Sequence, residues 1–449
     1  MYKIITLLLL LSSCKKMVEI DPPVGEVITA TVFSNDQTAT ASVLGLYSQA
    51  MATNNSFANG AITVYTGLSS DELYNTSTDA STLQFTQNEL AANNTTIRSL
   101  WQRAYGFIYQ ANAVIKGLES SVGLTDSVKT QLLGEAYLFR AFCHFYLANL
   151  FGDIPLLVSP DFKANAVMPR SSVIEVFMQV KNDLLHAHDL LSVAYATAGR
   201  VRPNKYTAAA FLSRIYLFMQ DWTNAEAKAT EVISAGSYLL EPDLKNVFVS
   251  ASKEAIWHLM PVAPNFNTYE GFNFIPFSAT TVPAYPVTLA FLNAFETGDA
   301  RKTSWLKTVS IGSNTYSYPF KYKLRNVTPV TEYYTMIRLA EVYLNRAEAR
   351  AQQNKIAEAN TDINTIRSRA SLPVIAVTDK SALLQTIYHE RQIELFAEWG
   401  HRWLDLKRTA KADATLAPLK QGWQPTDALY PIPQSELELN VFLTQNPGY

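Results

Sequence analysis

The chain has 449 residues, 48% hydrophobic and 17% charged, with a formal net charge of −2. Such a composition belongs to a folded protein and excludes a disordered one; the length exceeds the ~250–300 residues at which a single core usually divides. The near-neutral balance, without a basic tract, argues against nucleic acid as a partner.

Residues 1–13 hold one lysine, Lys3, then the apolar run Leu7–Leu11 and Ser12-Ser13. A basic start, a short apolar run and small residues at a boundary make a secretory signal. The run is far shorter than the ~20 residues that span a bilayer. The boundary Leu11-Ser12-Ser13-Cys14 resembles a bacterial lipobox, so Cys14 is expected to become the lipidated first residue of the mature protein. Residues 14–31 then form an extended tether, because Asp21-Pro22-Pro23 blocks a helix. The only other cysteine, Cys143, lies in an apolar helical pattern and is expected as a small buried hydrophobe.

Beyond the tether, residues 32–449 are expected to form the folded part. Ser34-Asn35-Asp36 supplies caps for a helix through Ala39, Val43 and Tyr47. From Gly60 to Asn94 the periodicity fails, and the region of about 55–95 is expected as a long loop carrying Tyr65, Tyr74 and Phe85. Helical spacing resumes at Ile97 and runs through Trp101, Ala104, Ile108 and Ile115. A second long helix, Ser127 to Leu150, is apolar nearly all round and is expected to be central. Ser171-Ser172 caps the next helix.

Two later segments match each other: Leu212 to Ala235, and Leu344 onward. In register, Trp222 meets Ile356, Ala225 meets Ala359, and Val232 meets Ile366. Each predicts a helix, a tight turn and a second helix, the tetratricopeptide-like pair that stacks into superhelical scaffolds. Between them, about 261–329, aromatic residues lie among Pro, Asn, Thr and Gly, predicting loops with short strands such as Tyr316 to Lys323. The fold class is therefore all-α, tetratricopeptide-like, with an irregular part.

The C-terminal half carries a recognisable pattern. His389-Glu390-Arg391-Gln392-Ile393-Glu394-Leu395, Glu398-Trp399-Gly400-His401-Arg402-Trp403-Leu404-Asp405, Tyr430-Pro431-Ile432-Pro433 and Asn446-Pro447-Gly448-Tyr449 resemble the SusD/RagB family of Bacteroidetes surface lipoproteins. Glu135 to Arg140, Leu150 to Leu156 and Arg338 to Tyr343 agree, in family order. The resemblance implies a non-catalytic outer-membrane binding protein, lipid-anchored and surface-exposed. It would capture oligosaccharides, or in some branches peptides, for a SusC-like TonB-dependent barrel transporter. The helix pairs alone also fit an adaptor that binds only protein. In the matched blocks, Glu390, Glu394 and Glu398 share a helix face, and Arg402 stands one turn before Asp405, a spacing that allows a local ion pair. These charges are expected to hold structure together.

An enzyme needs a reactive constellation. The chain has no Gly-rich phosphate loop and no Gly-x-Ser-x-Gly elbow, and no metal or cofactor is expected. His389-Glu390 lacks the second zinc-binding histidine, and His186 and His188 cannot face one metal. Glycoside hydrolysis needs two carboxyl groups ~5–10 Å apart in a cleft, for which Glu270, Glu296 and Asp299 are the candidates. Asp299-Ala300-Arg301, however, resembles a family turn.

A sugar asks for flat aromatic faces with polar groups at the rim. Tyr74, Asn75 and Phe85 in the first aperiodic region, with Tyr269, Phe272, Phe274 and Trp305 in the second, are the expected ligand-binding residues. Trp305 and Tyr74 lead because of their large faces. Trp101 and Trp222 follow helical spacing and are assigned to the core.

Overall fold

The computed structural model describes residues 29–263 and 265–449. The signal segment, Cys14 and most of the tether lie outside the described residues. The tether is not extended to its end at residue 31: its last residues enter the helical turn Thr29–Val32.

The longer helices are α1 (Asp36–Ala52), α2 (Ala61–Ser69), α3 (Ala80–Gln87), α4 (Thr95–Ser120), α5 (Asp126–Phe151) and α6 (Val173–Leu190). They continue as α7 (Lys205–Phe218), α8 (Trp222–Ser234), α9 (Leu339–Gln352), α10 (Ile356–Arg369), α11 (Lys380–Glu394) and α12 (His401–Arg408). Asn94 caps α4 by accepting from the amides of Thr96 and Ile97, and Ser172 with Glu175 forms a capping box on α6. Helix α5 is buried from Leu138 to Phe151 without a break, as its apolar circumference requires, and Cys143 lies inside it. Among the described residues, no helix is long and apolar enough to cross a membrane.

The two matched segments are α7–α8 and α9–α10. Each pair turns through a left-handed residue, Gln220 with φ 58° and Asn354 with φ 61°. Ala225 and Ala359 are fully buried, as are Val232 and Ile366, so the helices cross where the small residues predict. Successive pairs pack side by side from α4 through α11, which gives the tetratricopeptide-like scaffold.

The expected loop at 55–95 is not one long loop. It contains α2 and α3. Helix α2 escapes a periodicity test because all nine of its residues are buried, leaving no polar face. Among the described residues, four short strands accompany the helices: β1 (Ala255–Leu259), β2 (Leu306–Ile311), β3 (Asn314–Pro319) and β4 (Tyr334–Arg338). The hairpin β2–β3 pairs Leu306 with Pro319 through Ile311 with Asn314, so the expected strand begins and ends a little earlier than Tyr316–Lys323. Strand β1 pairs antiparallel with β4 and lies wholly in the interior.

Under β4 lies a buried charge cluster. Arg338 reaches Glu254 at 2.8 Å, Glu394 at 2.6 Å and Glu398 at 2.8 Å. Arg301 pairs with Asp299, Glu390 and Glu394. Arg369 and Lys321 close the cluster against Glu254, Glu394 and Glu398. Burial opposes the charge on Glu394, but Arg369, Arg338 and Arg301 outweigh it and hold this carboxyl well below the usual range. The matched acidic residues are therefore structural. Arg402 does not pair with Asp405; it takes Asp71 at 2.7 Å, because Arg391 and Arg408 already occupy Asp405. The turn between α11 and α12 depends on Gly400, at φ 71°, where a Cβ would come within 2.4 Å of the Thr66 hydroxyl.

Candidate functional site

Seven residues were expected to face a sugar, and the structure divides them. Trp305 is fully buried, and its indole N–H donates to the Leu244 carbonyl at 2.9 Å. The Lys321 ammonium sits 4.5 Å from its ring centre, with the Arg338 and Arg369 guanidiniums beyond. Trp305 is thus an aromatic wall of the charge cluster, with no face for a ligand. Phe85 is also fully buried, between Tyr65 at 4.6 Å and Tyr430 at 5.5 Å between ring centres. Phe274 is buried against Tyr285. These three are corrected to core: aromatics outside helical spacing here fill the joints between short elements.

Tyr74, Asn75, Tyr269 and Phe272 are half-buried and keep part of their surface in solvent. Tyr74 lies on a loop pinned to residues 283–288. Its amide donates to the Pro286 carbonyl at 3.0 Å, Thr76 bonds the Ala284 carbonyl, and Thr288 bonds the Glu72 carbonyl. Burial, and secondarily Tyr316 nearby, raises the pKa of the Tyr74 hydroxyl. The Asn75 side chain closes its own turn by accepting from the Ser77 amide and donating to the Ser77 carbonyl.

Tyr269 and Phe272 begin a short helix, Tyr269–Phe274, capped by the Thr268 hydroxyl. With Phe266 they form a cluster whose ring centres are 4.7 and 5.0 Å from Phe266. The Arg325 guanidinium lies 4.0 Å over Phe272, and Phe277 beside it is 81% exposed. The cluster abuts Gly60 at the start of α2, whereas Tyr74 follows the end of α2. The two groups adjoin opposite ends of α2, and Phe274 packs against Tyr285 of the segment that pins Tyr74.

A concavity lies elsewhere, where no sequence pattern announces it. A groove of about 550 Å³ runs between α4, the loop 155–166 and the helix Gln434–Leu439. Tyr109, Phe162 and Leu439 stand exposed around it, and Gln102 donates to Glu436 across its floor at 2.9 Å. Tyr109 sits within the α4 pattern, and only its exposure marks it.

The three carboxylates considered for hydrolysis are committed elsewhere. Asp299 pairs with Arg301 and caps its helix, and Glu296 grips Arg367 with both oxygens at 2.6 and 3.0 Å. Glu270 is buried without a hydrogen-bond partner for its carboxyl oxygens, and burial raises its pKa to about 8.

The structure is a helix-pair scaffold that carries aromatic residues on its loops and short helices. Comparisons with known proteins place it. A family model described as starch-binding, associating with the outer membrane, matches residues 30–217, and a SusD family model matches residues 306–449. The chain belongs to the SusD/RagB family. It is similar to SusD-like protein P2 of Formosa agariphila, with 27% identity over all of this chain and 99% of that protein. SusD-like protein P38 of the same organism is 26% identical over 81% of this chain and 82% of its own length. Among solved structures, a SusD superfamily protein from Bacteroides vulgatus superposes with a TM-score of 0.81 at 19% identity, covering 93% of this chain and all of the other. A laminarin-binding SusD-like protein gives 0.78 at 23% identity, with the same coverage.

Proposed function

We propose that this chain is a non-catalytic glycan-binding lipoprotein of the outer-membrane surface, anchored through Cys14. It captures oligosaccharides and delivers them to a SusC-like TonB-dependent transporter. One acyl chain binds a membrane only marginally, so the anchor needs the several chains of a bacterial lipoprotein. Family membership supports the reading, as does a relative of the same fold described as laminarin-binding. The observation that carries it is the group of Tyr269 and Phe272, which keep part of their surface in solvent, with the exposed Phe277 joined to them through Arg325, and Tyr74, which also keeps part of its surface in solvent. Folding gives no reason to hold Phe277 in water, whereas the apolar face of a sugar ring does.

The groove beside Tyr109 favours a second reading, an apolar peptide segment as the ligand, because Tyr109, Phe162 and Leu439 dominate its exposed surface. A glycan and peptide array on the chain beginning at Lys15 separates the two. Retention of soluble glycans, unchanged by Tyr109→Ala, is expected. Retention of peptides alone, abolished by Tyr109→Ala, would contradict the glycan reading and move the site to the groove.

A further inference from the structure

Arg325 differs from the arginines of the core. Those are taken up by carboxylates: Arg301, Arg338, Arg369, Arg391 and Arg408 all enter buried ion pairs. Among the described residues, Arg325 enters no ion pair, and its buried Nε has no hydrogen-bond partner. Aromatic faces hold it instead, with its guanidinium carbon 4.0 Å from the Phe272 ring centre and 5.6 Å from that of Phe277. A guanidinium lying on a ring is attracted by the ring's electrons and keeps its in-plane N–H donors free. It is therefore fixed in orientation while its fork of donors still lacks an acceptor.

We infer that Arg325 selects an anionic glycan, one carrying carboxylate or sulfate groups, and sets the ligand class of the loop surface. This rests on the glycan reading above. A sugar ring against Phe277 places a substituent at the ring's edge, within reach of the Arg325 guanidinium 5.6 Å from that ring's centre. Planar two-point bonding to carboxylate or sulfate suits arginine better than any other side chain. General attraction does not explain the selectivity, because the chain as a whole carries a net charge of −2. The cation is local and sits on the aromatic patch itself.

The test is titration of the chain beginning at Lys15 with four probes: oligogalacturonate, a sulfated galactan oligosaccharide, a neutral laminarin oligosaccharide and a glutamate-rich peptide. The expected result is that one of the two anionic glycans binds at least ~10-fold tighter than laminarin, a preference of about 1.4 kcal/mol. That preference should shrink as salt rises. Which anionic probe wins distinguishes carboxylate from sulfate. Arg325→Gln should abolish the preference while leaving the melting temperature unchanged, and Arg325→Lys should keep part of it. If laminarin binds as well as the anionic glycans and Arg325→Gln changes nothing, the inference fails while the glycan reading stands. If the peptide alone binds and Arg325→Gln releases it, the ligand class is wrong. If all four probes fail to bind, both fall.

Discussion

Replacing Arg338 with methionine is expected to lower stability by ~3–5 kcal/mol, the usual consequence of leaving a buried charge uncompensated. Arg338 is 1% exposed and is the cation shared by Glu254, Glu394 and Glu398. Its removal leaves these carboxylates to repel one another around Arg369 and Lys321, which are already engaged. Methionine fills similar space, so the loss reports charge more than volume. Thermal and denaturant melts read the effect. A variant that melts with the parent would show that the cluster contributes little to the fold.

Glu270 predicts a pH dependence of opposite origin. Burial, with a smaller contribution from Glu398, raises its pKa from 4.5 to about 8. Between these values the folded protein holds a proton that the unfolded chain has released. Stability therefore falls as pH rises from about 4.5 to about 8. Glutamine keeps the shape and removes the titration. Glu270→Gln is expected to stabilise the protein little at pH 5 and by a few kcal/mol at pH 8, since each tenfold in proton affinity is worth about 1.4 kcal/mol. Glu72, also raised to about 8 by burial and then by Asp71, retains its own slope in the variant. Equal stabilisation at both pH values would mean that Glu270 is ionised in the folded protein throughout.

Legibility in the sequence followed amphipathicity. Helices α4 and α6 show one apolar stripe each, and the pairs α7–α8 and α9–α10 show small residues at the same register. All were readable. Helix α2 was not, because a helix buried on every side has no period to detect. The spacing of Glu390 and Glu394 marked a structural face, but their partners could not be read: Arg301 lies far away in sequence. Arg402 was assigned a neighbour already held by two other arginines.

The site was less legible than the fold, for a related reason. Loss of periodicity marks short elements as readily as exposed loops, so Trp305 and Phe85 looked available when each fills a joint. Tyr74, Tyr269 and Phe272 keep solvent-facing surface on a loop and a short helix outside the long-helix scaffold. Nothing in the sequence separates Arg325 from the paired arginines, because its lack of a carboxylate partner is a property of the folded chain.

The most direct test of the account is calorimetric titration of a glycan retained on the array, using the parent chain and the double variant Tyr74→Ala, Phe277→Ala. Each stacked face is worth ~1 kcal/mol, so the double variant should bind at least ~10-fold more weakly with an unchanged melting temperature. The parent should return the glycan uncut after prolonged incubation. Undiminished binding by the folded double variant, or release of shorter sugars by the parent, would contradict the account.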